Sequence, residues 1–181
     1  TMISKIDYDK VRNERFLRIC VEENVMLEFM AVCNLKAITA LEMSLDRQEQ
    51  LEKTKDIRAF RGEDMYFHSI FYEGANKGYC NNILAANSGH YRRIQMLAMA
   101  DSGIEPGVVK QHRELMDAIL AKDSEQLHGV LNHHLNRLIS KERPLVSKYP
   151  DLFDRENKEI RREPDELGID FLVDTKLKYH A

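Results

Sequence analysis

The stretch Pro106-Gly107-Val108-Val109-Lys110-Gln111-His112-Arg113-Glu114-Leu115-Met116-Asp117-Ala118-Ile119-Leu120-Ala121 settles the fold class. Val108, Val109, His112, Leu115, Met116, Ile119 and Leu120 fall at i, i+1, i+4, i+7, i+8, i+11 and i+12. That is one apolar face at the helical period, with a single histidine set into it. Pro106 suits the first turn of such a helix. The same period recurs along the chain, and no alternating strand pattern lasts beyond a few residues. Helices are expected over about 8–33, 36–54, 56–74, 78–100, 106–121 and 124–142. Asp7 is a candidate cap for the first helix, and Asp123 or Ser124 for the last, which Pro144 limits. Short connections make successive helices fold back on one another. The expected class is all-α, an antiparallel bundle.

Composition bounds the function. A chain of 181 residues with 43% hydrophobic and 31% charged side chains is globular, one domain or one domain with an extension. A net charge of -3 argues against this chain by itself holding a nucleic-acid backbone, which needs a basic surface. No run approaches the ~20 apolar residues of a membrane span, so no membrane partner is expected. Cys20, Cys33 and Cys80 are odd in number and widely spaced. They read as thiols of a reducing compartment, which points to the cytoplasm. Beyond about residue 141 the chain changes character. Residues 154–166 are almost all charged, as in a solvated helix or tail, and the apolar Ile169-Asp170-Phe171-Leu172-Val173 is suited to docking.

The functional signal is polar residues where the core belongs. The helix over 124–142 presents Leu127, Val130, Leu131, His134, Leu135, Leu138 and Ile139, again with one histidine on the apolar stripe. The helix over 56–74 presents Ile57, Phe60, Asp64, Phe67, His68 and Phe71, with aspartate and histidine at i and i+4 on one face. A buried carboxylate is costly unless paired or bound to metal. Aspartate and neutral histidine are good ligands for first-row metals, and bundle cores are where such sites are built. A buried Asp–His hydrogen-bond network explains the same residues, and both readings stay open. His128 and His133 fall off the stripe, His180 lies in the tail, and His90 lies near the stripe Ile83, Asn87, Tyr91, Ile94 and Ala98 without an obvious ligand role. Arg18 sits seven residues after Val11 and seven before Val25, so it can point inward. Its planar fork suits a carboxylate, which can be Glu22 one turn on or a ligand.

Four motifs in order carry a family resemblance. Arg18-Ile19-Cys20-Val21-Glu22 matches R-x-x-L-E save for Val21, and Asp64-Met65-Tyr66-Phe67-His68 followed by Ala75-Asn76 matches D-x-x-F-H with its trailing small-Asn. Gln111-His112 through Ala118-Ile119 to Asp123 matches E-H-x-x-(I/L)-x-x-A-I-x-x-x-D save for Gln111, and His134-Leu135 closes the series. From about residue 3 to about 150 the chain resembles the effector-binding FCD (FadR C-terminal) domain of GntR-type bacterial transcription regulators, in its metal-binding branch. The resemblance implies a bundle of six or seven helices. It implies Asp64, His68, His112 and His134 as ligands of a divalent ion, zinc first, with nickel or manganese as alternatives. It implies a small organic acid as effector, a homodimer, and DNA binding only through an N-terminal winged helix-turn-helix outside this sequence. Ile3-Ser4-Lys5-Ile6-Asp7 reads as the exit from that module. The expected division is linker over 1–7, bundle over 8–150 and charged extension over 151–181.

Three neutral histidines and one carboxylate around a divalent ion leave about +1, which attracts an anion. Four protein ligands complete a tetrahedral zinc shell, whereas an octahedral ion keeps two positions for a bidentate acid. Arg18, Asn87, Tyr91 and Arg92 are the candidates for holding the far end of the effector. Ligand binding then shifts the dimer geometry by population shift. The rivals are a metalloenzyme with metal-bound water and Glu22 as base, a metal sensor, and a structural metal in a dimerisation module. No catalytic residue is assigned, and the chain is expected not to be an enzyme.

Overall fold

The structure, a computed structural model, describes residues 4–154. Most of the charged run 154–166, the segment 169–173 and His180 therefore lie outside the described residues. The order is α1 (Tyr8–Val32), α2 (Leu35–Thr54), α3 (Ile57–Gly74), α4 (Gly78–Ala86), α5 (Gly89–Ser102), α6 (Val108–Ala121), α7 (Ser124–Asn136), α8 (Ile139–Lys148) and a 3-10 turn over Pro150–Leu152. The class is all-α, as expected. Asp7, Asn34, Asp56 and Asp123 cap α1, α2, α3 and α7, each side chain accepting an N–H three residues on. The cap of α7 is thus Asp123 rather than Ser124.

Two expected helices are interrupted, and two boundaries move. The helix expected over 78–100 breaks at Asn87 and Ser88, whose side chains donate back to the carbonyls of Ile83 and Leu84. Such back-bonding competes with the backbone ladder, and both residues leave the helical region at φ near -111 and -114. At Arg137 and Leu138 the ladder lapses, but both keep right-handed angles (φ -54, ψ -26 and φ -82, ψ -12). Counting α7 and α8 as one interrupted element makes seven helices among the described residues. Pro144 lies inside α8 rather than limiting it. Pro106 lies outside α6, because Gly107 at φ +84 cannot be a helical residue and α6 starts after it.

Connections of two residues fold α2 back onto α3 and α6 back onto α7, and α1 packs against α3, α4, α5, α6 and α7. The main core gathers Phe29, Phe60, Phe67, Phe71, Leu41, Leu45, Leu115 and Leu131. Each such side chain contributes about 1.5–3 kcal/mol of hydrophobic stabilisation. A second cluster joins Ile6, Val11, Tyr91, Ile94, Leu138, Leu145 and Phe153. There Ile6 and Leu152–Asp154 exchange backbone bonds of 2.8 and 2.9 Å, and Glu142 accepts from Tyr8 at 2.6 Å and from Arg15. The segment entering α1 is thereby tied to α8 and the residues after it.

Candidate metal centre and cavity

Asp64 and His68 stand one turn apart on α3, facing His112 from α6 and His134 from α7. The four come from the stripes that carry the core, so packing those stripes together brings them together. All four are buried, and one donor atom of each lies within 4.8 Å of the others. His112 Nε2 is 3.3 Å from His134 Nε2 and 3.6 Å from Asp64 Oδ1. Metal–donor bonds of about 2.0–2.2 Å set donors roughly 3–4 Å apart, so a small closure would seat one ion.

Two glutamines fix the ring orientations. Gln48 Oε1 on α2 lies 2.6 Å from His112 Nδ1, and Gln111 Oε1 lies 3.1 Å from His134 Nδ1. A carbonyl only accepts, so each Nδ1 carries the proton and each Nε2 turns a lone pair to the centre. Asp64 Oδ1 and both ring nitrogens of His68 have no hydrogen-bond partner among the described residues. Arg137 Nη1, 3.3 Å from His134 Nδ1 and 3.2 Å from its Nε2, is a donor in reach of that ring, while among the described residues no donor serves His112 Nε2. Buried acceptors without donors cost about 1–3 kcal/mol each, and one cation would satisfy the converging set. The residues present fit a divalent ion.

The electrostatics agree. Burial, and then the charge of His68, push the His112 pKa well below its ordinary value; burial and Arg137 do the same to His134. Both rings are neutral and able to ligate. Burial would raise Asp64, but the surrounding histidines, Arg137 and Arg61 outweigh it and hold the carboxyl below its usual range.

Asp64 and His68 also line a cavity of about 330 Å³ between α1, α3, α4 and α5. Arg18, Tyr91 and Arg92 line it too. Arg18 Nε donates to Glu22 Oε1 at 2.6 Å, and its guanidinium lies 5.8 Å from the centre of the Tyr91 ring. Glu22 Oε2 approaches His68 Nδ1 at 3.1 Å, off the line of a hydrogen bond. Burial would raise the Glu22 pKa, but Arg18 and His68 hold it down at about 2. Tyr91 donates its hydroxyl to the Leu135 carbonyl at 3.3 Å, and Arg92 donates to the Ala85 carbonyl. Asn87 is not brought there: it is exposed in the helix break and donates to Ile83. His128 and His133 are exposed, and His90 accepts the Asp7 N–H at 2.9 Å, away from the cluster.

Several residues escaped the sequence reading. Gln48 belongs to the stripe Leu41, Ser44, Leu45 and Gln48, a polar residue on an apolar face that could have been found. Arg61 precedes Asp64 by three residues and lines the cavity, bonded to Asp64 Oδ2 at 3.3 Å. Gln95 and Tyr72 line it as well; both amide atoms of Gln95 and the Tyr72 hydroxyl are buried without partners among the described residues. Gln95, one turn after Tyr91 on the stripe that ends at Ala98, is a second polar residue on an apolar face that could have been found.

Residues 16–137 match the FCD domain family. The chain is also similar to an uncharacterized HTH-type transcriptional regulator in an unstable DNA locus of Streptomyces ambofaciens, at 27% identity over 154 residues. The alignment covers 84% of this chain and 64% of that relative, so the chain spans just under two thirds of the relative's length. No helix among the described residues is long and apolar enough to cross a membrane. The family match runs over more than half of the chain and encloses every residue of the cluster and the cavity, and the relative is named as a regulator rather than an enzyme. The chain belongs to the FCD domain family of transcription regulators.

Proposed function

We propose that this chain is the effector-binding and dimerisation domain of a cytoplasmic bacterial transcription regulator, sensing a small organic acid through a divalent ion. The observation that carries this reading is the convergence of Asp64, His68, His112 and His134, buried and short of donors, at one wall of a cavity lined by arginines. An ion held there, zinc or else nickel or manganese, supplies a positive centre for a carboxylate. Gln48 and Gln111 keep His112 and His134 in the ligating tautomer. Arg18, steadied by Glu22, and Tyr91 and Arg92 face the rest of the acid.

DNA binding is assigned to an N-terminal winged helix-turn-helix, in keeping with the name of the relative. In this reading residues 1–7 lead from that module, 8–150 form the bundle and 151–181 extend it. The cavity has a route to the leading segment. Tyr91 lines the cavity with its N–H held by Glu14 at 2.7 Å; its neighbour His90 accepts from Asp7, and Arg93 donates to the Ser4 and Lys5 carbonyls. A ligand that repositions α5 moves residues 4–7 and shifts the population of dimer geometries.

A metalloenzyme is less well supported. The base considered for it, Glu22, is engaged by Arg18 and, with a pKa of about 2, accepts a proton poorly. The test is metal content of protein purified without a nickel column, followed by thermal melts of the metal-loaded form with small carboxylates. About one ion per chain is expected. One class of acid should add roughly 2.7 kcal/mol at 100 times its Kd, and His112→Ala should lose both ion and effect. No bound ion, with melting unchanged in that variant, would sink the reading.

A further inference from the structure

The cavity beside the four donors carries more positive charge than its own carboxylates neutralise. Its formally charged lining residues are Arg18, Arg61 and Arg92 against Glu22 and Asp64. Arg18 is matched by Glu22 at 2.6 Å. Among the described residues Arg61 is paired with Asp64 through a single long contact of 3.3 Å, and its side chain is only 10% exposed. The second oxygen of Asp64 faces His112 in the cluster at 3.6 Å. Among the described residues Arg92 is bonded to a neutral acceptor, the Ala85 carbonyl. Arg61 thus has one oxygen of a carboxylate whose other oxygen is committed to the cluster, and the half-buried Arg92 adds a second positive charge to the same cavity. Buried guanidinium groups need an anion, and their planar fork fits a carboxylate in two bonds.

We propose that the effector is a dicarboxylate, with one carboxylate at the four-donor cluster and the second on Arg61 and Arg92. This rests on the acid-sensing reading above, because a cation on Asp64 is what leaves Arg61 without its counter-charge. Arg61 lies three residues before Asp64 and seven before His68, on one face of α3. The second anchor therefore lies close beside the first, since Arg61 Nη1 is 3.3 Å from Asp64 Oδ2. That spacing suits a diacid of four or five carbons. A monocarboxylate would fill the cluster and leave Arg61 uncompensated.

Calorimetry on the metal-loaded protein tests this with matched probes: 2-hydroxybutyrate against malate, and 2-hydroxypentanoate against 2-hydroxyglutarate. Each pair shares its head and carbon count and differs in the terminal carboxylate. The diacid of at least one pair should bind about tenfold or more tightly, the worth of a charge-assisted bond. Arg61→Gln, compared with the parent at matched metal loading, should erase that preference. Arg61→Lys keeps the charge without the fork and guards against loss of fold; it should retain a reduced preference. Equal binding within both pairs overturns the inference and leaves acid sensing standing. A preference undiminished in both variants overturns the assignment to Arg61. Binding of none of the four probes overturns acid sensing itself, and this inference with it.

Discussion

Gln48 contributes no donor to the cluster, yet it decides which nitrogen of His112 is available. The ring is stacked on Phe67 with centroids 4.5 Å apart, so packing fixes its plane while the amide carbonyl fixes its proton. Gln48→Leu keeps the volume and removes the acceptor. Metal affinity should fall about 10–100-fold, read by competition with a chromophoric chelator. Unchanged affinity would mean that the stack on Phe67 alone orients the ring. Neighbours of this kind are hard to see in a sequence. A glutamine on an apolar stripe signals a buried partner, but α2 and α6 meet only in the folded chain, so the partner has no sequence address.

Helix register is where the expectations over 78–100 gave way. Hydrophobic periodicity runs on through Asn87 and Ser88, so a pattern argument sees one helix. Two side-chain bonds to Ile83 and Leu84 break it, leaving Asn87 in solvent while Tyr91 and Gln95 stay buried. Close packing between elements is equally local. A Cβ built on Gly74, at the end of α3, would lie 2.3 Å from Phe29 Cε2 and 2.6 Å from Phe29 Cδ2. Phe29 is fully buried and meets Phe71 edge-on at 5.1 Å, so its ring has little room to yield. Gly74→Ala should therefore destabilise the fold by about 1–3 kcal/mol through overpacking. The thermal midpoint should drop by several degrees. A midpoint within a degree of the parent would show that α1 and α3 can part at no cost.

Across the whole molecule the buried histidines couple folding to protons. His112 and His134 titrate well below 6.5 in the folded chain, chiefly through burial, and near 6.5 once unfolded. Above pH 6.5 neither state binds the extra protons and the contribution is constant. Below it the unfolded chain takes them up and the folded chain does not. Stability of the metal-free protein should then fall as the pH drops, by about 1.4 kcal/mol per unit for each ring. Urea melts between pH 7.5 and 5.5 should show a loss of roughly 3 kcal/mol, about half of it absent in His112→Gln. A flat profile would mean that the rings protonate in place.

The sequence by itself determined the helical class, the cap Asp7 and the four inward donors, because each is a matter of spacing along one helix, while Asp123 was settled over Ser124 by the structure. The FCD resemblance was legible in motifs strung along the chain, and the family match bears it out. Tertiary structure alone decided that those four side chains meet within 4.8 Å, and that Gln48 and Gln111 orient two of them. It also decided that Arg61 and Gln95, rather than Asn87, line the cavity. Periodicity reports which way a side chain faces on its own helix. What it faces depends on how the helices are packed, and on breaks made by two polar side chains that no apolar pattern records.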